Sequence, residues 1–311
     1  MKIVIMAAGG VGGYYGARLA AAGEDVHFVA RGAHLAALRA DGLRLTSENG
    51  DLQLQSVAAT DDPREVGAAD IVLIAVKQYD TEEAARLIAP VIGTGTAVIP
   101  LQNGIDPAQR LQAILGGAHI MGGTAFITGA AIVSPGVFTH TGSRARLVFG
   151  AFDRSVNALS TRFLAACKNA SIDAVLSHDI VRDMWTKFAL LSAFSGASCM
   201  LRSTAGAIMS DPTSRSLLGD AIAEAAAVAG ARGIDLGADF VARHRDYYGS
   251  AAPQTKSSML MDLEAGRRLE LEWLSGAVVQ FGRELNVSTP IHQAIYAALK
   301  PYADGQGRQA S

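Results

Sequence analysis

The sequence is short of cysteine, of net charge and of long hydrophobic runs. Only Cys167 and Cys199 carry thiols in 311 residues. Two thiols cannot build a disulfide framework in a chain of this length, and they suit a reducing cytoplasm. Lys and Arg number 27 against 29 for Asp and Glu, a net charge of −2. So even a balance leaves no basic footprint for nucleic acid or an anionic membrane surface. The uncharged stretch Phe188 to Leu201 is 14 residues long and contains Ser192, Ser195, Gly196 and Ser198, too short and too polar to cross a bilayer. Met1-Lys2 followed by Ile3 to Met6 resembles the start of a secretory signal, but the run soon meets glycines and Arg18, so it reads as a buried strand. Histidine and cysteine show no spacing of the H-E-x-x-H or C-x-x-C kind, and no metal site is expected. There is no internal repeat. A hydrophobic content of 50% with 18% charged residues excludes a disordered chain.

What the chain has in surplus is glycine, 33 residues without a collagen-like period. The length suggests two domains. In the first half, short β-branched runs alternate with helical stretches. Strands are expected at Lys2 to Met6, Asp25 to Ala30, Asp70 to Val76 and Thr96 to Leu101, with helices from Val11 to Ala22, after Lys77 to about Ile88, and over Pro107 to Leu115. Leu43 to Thr46 and Leu52 to Gln55 alternate around Asn49-Gly50, a hairpin signal. Further strands are expected near His119 to Thr128, Val137 to His140 and Arg146 to Phe149, then a helix near 155–168 and a strand near 172–176. This alternation predicts an α/β, doubly wound, mostly parallel sheet. After it, strand signals cease, and helices are expected near 178–200, 211–232, 237–248, 254–265, 268–285 and 290–299. The expected domains are 1–177, α/β, and 178–304, all-helical, with 305–311 as a flexible tail.

Between the first strand and helix lies Ala7-Ala8-Gly9-Gly10-Val11-Gly12. In a G-x-G-x-x-G dinucleotide fingerprint these glycines would fall at 7, 9 and 12, so the first is replaced by Ala7. Gly9 would admit a pyrophosphate to the backbone, Gly12 would let helix and strand pack closely, and the helix N-terminus would offer N–H groups to the anion. The bland alternative is an ordinary glycine-rich connection. At the end of the second strand, where an NAD site usually carries an acid, stands Arg31, 24 residues after Ala7. A guanidinium suits a 2′-phosphate, and Lys77 ends another strand at the same edge, so NADPH/NADP+ is expected over NAD(H). The alternative for Arg31 is a solvated loop residue.

Two charges interrupt apolar stripes in the helical half. Ile180, Met184, Lys187, Leu191 and Phe194 share one helical face, with Lys187 in its middle. Desolvation there would disfavour the ammonium, as in catalytic lysines; the alternative is a stem that snorkels to water. On the helix expected at 268–285, Glu270 shares a face with Leu274, Ala277, Val278 and Phe281, whereas Glu272 falls on a solvated face. The alternative for Glu270 is a surface pair with Arg267. A lysine and a carboxylate meeting at one site would suit carbonyl reduction, where negative charge grows on an oxygen that then takes a proton.

The ordered set Ala7-Ala8-Gly9-x-x-Gly12, Arg31, Lys77, Gln102-Asn103-Gly104, Trp185-Thr-Lys187, Ser257-Ser258-Met259 and Glu270 resembles the ketopantoate reductase (2-dehydropantoate 2-reductase) family over essentially the whole chain. The resemblance implies a Rossmann-type domain followed by a helical domain. It implies Lys187 as general acid and Glu270 as the residue binding the substrate hydroxyl and Lys187. Asn103 would place substrate and nicotinamide, with Ser195 and Ser258 on the substrate, Ser258 at its carboxylate. Residues 7 to 12, Arg31, Lys77 and Asn103 would hold NADPH. Without it, Asn103 reads as a turn residue before Gly104 and Ser258 as a helix-surface hydroxyl. Where typical family members carry asparagine four and eight residues after the lysine, this chain has Leu191 and Ser195, and where they carry it five residues after the glutamate it has Ser275. Leu191 removes a hydrogen-bond donor and makes the pocket more apolar.

The expected activity is NADPH-dependent reduction of a 2-oxo acid, with 2-dehydropantoate to (R)-pantoate, on the way to pantothenate and coenzyme A (an EC 1.1.1.169-like reaction), as the first choice. A related D-2-hydroxyacid dehydrogenase acting on another branched or aromatic 2-oxo acid is the alternative, and a catalytically decayed NADP-binding regulatory module is an alternative of another class. The expected location is the cytoplasm, and the expected partner, beyond the small acid, is a second copy in a homodimer. His140 and His178 receive no role.

Overall fold

The computed structural model describes residues 1–305; most of the tail expected at 305–311 lies outside them. The described chain divides into two compact units, one made of Met1–Gln102 and Asp106–Asp183, the other of Asn103–Ile105 and the chain from Met184 onward. The division falls after Asp183, inside a continuous helix.

In chain order the first unit contains β1 (Lys2–Met6), α1 (Gly10–Ala21), β2 (Asp25–Val29), α2 (Gly32–Asp41), β3 (Leu43–Ser47), β4 (Leu52–Leu54), β5 (Ala58–Thr60), β6 (Ile71–Ile74), α3 (Thr81–Ile88), β7 (Ala97–Pro100), α4 (Pro107–Leu115), β8 (Gly122–Ile127), β9 (Ala130–Ser134), β10 (Val137–His140), β11 (Ala145–Gly150), α5 (Ala158–Asn169) and β12 (Asp173–Leu176). A parallel sheet of order β5-β2-β1-β6-β7 forms its centre. β6 and β7, and β1 after Lys2, are hydrophobic and buried along their length because both faces are covered. Ile3 and Ile5 of β1, with Ile71 and Leu73 of β6, pack into one core, while Val4, Met6, Val72 and Ile74 pack into a second on the opposite face. Each such side chain contributes roughly 1.5–3 kcal/mol by leaving water.

The remaining strands do not extend this sheet. β4-β3-β10-β9 form a mixed sheet, with the hairpin turning at Asn49-Gly50 as its alternation predicts, and β12-β11-β8 form a third. Three sheets therefore stand where the sequence suggested one. Helix α2 and strands β5 and β9 have no counterpart in the sequence reading.

A helix α6 (Ile180–Leu201) runs into the second unit, followed by α7 (Ala205–Ser210), α8 (Pro212–Ala231), α9 (Phe240–His244), α10 (Ser258–Glu264), α11 (Ser275–Leu285) and α12 (Pro290–Leu299). Prolines stand at the first positions of α8 and α12: Pro212 follows Asp211, whose carboxylate accepts from Ser214 N–H at 2.7 Å. At the start of α12 the N–H groups of Ile291 and His292 donate to the Glu224 carboxylate at 2.7 and 2.9 Å.

The helix expected over 268–285 is broken. A 3₁₀ turn (Leu271–Trp273) precedes α11, and Leu274 at φ −112°, ψ −99° interrupts the helical path. Among the described residues, no helix is long and apolar enough to cross a membrane.

Candidate active site

The first unit presents the glycine loop at the carboxyl end of β1. Gly9 caps α1 without any side-chain hydrogen bond, and no acidic residue occupies the first turn. A Cβ built on Gly9 would meet only Ala75 O, at 3.9 Å. No contact within the protein therefore demands glycine there, and a side chain would fill the open space before the helix N-terminus. Gly12 is demanded by packing: its Cβ would lie 2.2 Å from Ala7 O and 2.9 Å from Ile5 Cγ2. These features fit a backbone-lined cradle for a dinucleotide pyrophosphate. Gly10 and Gly13 have reasons the sequence did not reveal. Their Cβ atoms would lie 2.3 Å from Ala130 O and 2.1 Å from the Phe138 ring, both on the β9–β10 hairpin.

A cavity of about 250 Å³ opens beside the loop, bounded by residues 6–9, Arg31, His34 and Ile132. Arg31 immediately precedes α2 and is 67% exposed, its guanidinium 3.1 Å from Glu83. An exposed pair of this kind is worth about 1 kcal/mol or less, so the guanidinium can exchange its partner for another anion. Lys77 is half-buried just beyond β6. As β2 and β6 flank β1, Arg31 and Lys77 stand at the same edge of the sheet.

In the second unit, Lys187 lies where the apolar stripe places it. Ile180, Met184 and Phe194 are buried, and Leu191 is half-buried. The ammonium does not escape to water as a snorkelling lysine would. Lys187 Nζ donates to Asn103 Oδ1 at 3.1 Å, and Asn103 Nδ2 donates to Glu270 Oε2 at 3.4 Å. Burial pushes the Lys187 ammonium down to about 8, against the opposing pull of the Glu270 charge. Asn103 is delivered by the loop after β7, where Gly104 takes φ +92°. A proton donor poised near neutral pH, oriented by an amide and linked to a carboxylate, is equipped to protonate an oxygen on which charge is growing.

Glu270 is only 4% exposed, but not for the reason the sequence suggested. It stands at the head of the 3₁₀ turn, outside α11, so it shares no helical face with Ala277, Val278 or Phe281. The buried Leu269 and Leu271 on either side draw it inward. Arg267 pairs instead with Asp262 at 2.8 Å. Glu272 is exposed as expected, accepting from Tyr296 Oη at 2.8 Å and pairing with Lys300.

Ser195 and Ser258 are not part of the Lys187–Asn103–Glu270 chain. Ser258 is exposed at the first position of α10. The buried hydroxyl there is Ser257, which accepts from Leu260 N–H at 3.1 Å and lies 2.7 Å from Ser198 Oγ. Ser195 and Ser275 are fully buried, each with an Oγ lacking a hydrogen-bond partner among the described residues. His140 is a structural residue, 3.0 Å from Ser47 Oγ and 3.3 Å from Arg144 O, and His178 is exposed. His34, on the wall of the cavity, is a candidate the sequence reading missed. Its only signal was its position three residues after Arg31.

Residues 3–154 match the family model for ketopantoate reductase PanE/ApbA, and residues 179–303 match the model for its C-terminal region. A 2-dehydropantoate 2-reductase of Mesorhizobium japonicum is 32% identical over 331 residues, with 99% of each chain covered. The crystal structure of a PanE/ApbA family ketopantoate reductase from Ralstonia eutropha is 31% identical and superposes with a TM-score of 0.87, covering 97% of this chain and 98% of that one. That of a 2-dehydropantoate 2-reductase from Geobacter metallireducens is 29% identical, with a TM-score of 0.89 and coverage of 96% and 99%. Both halves of the sequence thus match in order and nearly at full length, and the chain belongs to the ketopantoate reductase family of NAD(P)-dependent oxidoreductases.

Proposed function

We propose that this protein reduces a 2-oxo acid to the 2-hydroxy acid with NADPH, and that 2-dehydropantoate, yielding (R)-pantoate, is its first-choice substrate. The observation that carries the proposal is the hydrogen-bonded chain from Lys187 Nζ through Asn103 to the Glu270 carboxylate, with the ammonium pushed down to about 8. NADPH, when bound, supplies the hydride for the carbonyl carbon. Lys187 gives its proton to the carbonyl oxygen as negative charge develops there. Asn103 aims the ammonium, and Glu270 accepts from the nascent hydroxyl. Ser258, exposed at the head of α10, receives the substrate carboxylate, with Ser195 as a further substrate contact. Residues 7 to 12 cradle the pyrophosphate, with Asn103 at the nicotinamide. Arg31 and Lys77 select the 2′-phosphate. The protein works in the cytoplasm as a homodimer, in the pathway to pantothenate.

A second reading rests on Leu191, one helical turn after Lys187 and half-buried. An apolar side chain there favours a 2-oxo acid with a bulkier branched or aromatic group, reduced to a D-2-hydroxy acid. NADPH oxidation by the purified protein, measured against 2-dehydropantoate and a panel of 2-oxo acids, separates the readings. Highest kcat/KM on 2-dehydropantoate supports the first, and highest kcat/KM on another acid supports the second. NADPH binding without turnover of any acid overturns both and leaves a nucleotide-binding module. Full kcat in Lys187→Ala would refute Lys187 as the acid.

A further inference from the structure

His34 holds two backbone groups from different parts of the first unit. Its Nε2 is 2.9 Å from Ala8 O, inside the glycine loop, and its Nδ1 accepts from Gly136 N–H at 3.1 Å. An acceptor at Nδ1 and a carbonyl at Nε2 define the neutral Nε2–H tautomer. The ring also meets Phe138 edge-on, with centroids 5.3 Å apart.

Gly136 turns the β9–β10 hairpin, with φ +75° after Pro135. The other end of that hairpin is pressed against the loop, since Ala130 O leaves no room for a Cβ on Gly10. Between these points Ile132, 44% exposed, faces the cavity that Arg31 and the loop share. The hairpin thus forms one wall of the cavity, and His34 fastens it to the loop.

The loop needs such a fastening. Its first fingerprint position is Ala7, and among the described residues Ala8 is tied to β2 by one backbone bond, from its N–H to Val29 O at 3.2 Å. Because a peptide group is planar, fixing Ala8 O fixes the Ala8–Gly9 plane at the threshold of α1. It also keeps a carbonyl dipole from turning toward an incoming pyrophosphate. Loss of His34 would free both the carbonyl and the Gly136 N–H.

We propose that His34 is a positioning residue for the dinucleotide: by clamping Ala8 O and Gly136 N–H it sets the glycine loop and the Ile132 wall in their binding arrangement. This rests on the dinucleotide reading of the loop, and the experiment separates the two. NADPH and NADH binding are titrated by nucleotide fluorescence for the wild type, His34→Phe and His34→Gln. Phenylalanine keeps the ring against Phe138 and loses both hydrogen bonds, whereas glutamine keeps one donor and one acceptor. Loss of one net hydrogen bond or more raises the NADPH Kd of His34→Phe about tenfold. The loss falls on KM for NADPH rather than on kcat, and His34→Gln stays within about threefold of the wild type because its side-chain bonds are retained. A Kd for His34→Phe within twofold of the wild type, or a His34→Gln as impaired as His34→Phe, overturns the role of His34 alone. A wild type that binds neither nucleotide overturns the dinucleotide reading itself. Nitrogen NMR of the wild type needs no variant to fold: at pH 7.5 His34 shows a protonated Nε2 and a bare Nδ1, and a protonated Nδ1 refutes the clamp.

Discussion

Replacing Lys187 with methionine, which keeps the length and apolar stem, should remove a specific dependence of stability on alkaline pH. In the folded protein the ammonium loses its proton near pH 8; in the unfolded chain it does so near 10.5. Below both values each state holds the proton, and the folded state bears the full cost of a desolvated ammonium. Between them the unfolded chain binds more protons, so the free energy of unfolding rises with pH, by up to about 1.4 kcal/mol per pH unit. Above both, neither state is charged and the cost has gone. Integrated from about 8 to 10.5, the gain is about 3 kcal/mol. Lys187→Met lacks this titration, while other groups titrate in both proteins and cancel in the difference. Urea unfolding at pH 7.5, 8.5, 9.5 and 10.5 measures it. The chain's two tryptophans, Trp185 and Trp273, both lie in the second unit, so their fluorescence follows the relevant transition. The wild type should gain about 3 kcal/mol on the variant across that range, at unchanged m. Curves that stay parallel would refute a lowered lysine. The same titration governs chemistry: kcat for reduction should fall above pH about 8 as the acid is lost.

The Glu270 charge opposes the burial that lowers Lys187, so Glu270→Gln should move that fall in kcat to lower pH; an unmoved profile would show that the carboxylate does not sense the ammonium. Arg31→Ala should raise KM for NADPH about 10- to 100-fold, the worth of a charge-assisted hydrogen bond, and leave KM for NADH nearly constant. Glu83→Gln should act in the opposite direction and lower KM for NADPH by a factor of about five or less, because it frees Arg31 from an exposed pair; a raised KM would place Glu83 on the nucleotide side. The buried Ser275 hydroxyl has no partner among the described residues, so Ser275→Ala should be neutral or stabilising by up to about 1 kcal/mol in urea midpoints, and a clear loss would reveal a hydrogen bond.

What was legible in the sequence follows from where each interaction leaves its mark. Of the parallel strands, β1, β6 and β7 were legible because burial on both faces forces nearly unbroken hydrophobic runs, whereas the short outermost strand β5, Ala58–Thr60, was not. Strand β9 was not, because Ile132 and Val133 are exposed and their neighbours alternate with nothing. Helix α2 buries only Leu35 and Leu38, too narrow a stripe to stand out. Lys187 was legible because a charge inside an apolar stripe is visible in one dimension. Glu270 was found through a stripe that does not exist, since the 3₁₀ turn removes it from α11; flanking leucines bury it instead. Asn103 depends on a partner 84 residues away, which no local pattern encodes. His34 left the faintest mark of all, because both its partners are backbone atoms, and any residue at positions 8 and 136 would offer a carbonyl, and almost any an N–H. Glycine is the converse case. A backbone or ring pressed against Gly10 and Gly13 excludes every side chain, so the contact is written into the sequence as a residue type while its partner stays hidden. The surplus of glycine near the loop therefore recorded the β9–β10 hairpin before β9 could be assigned, and the hairpin in turn explains why His34 stands where it does.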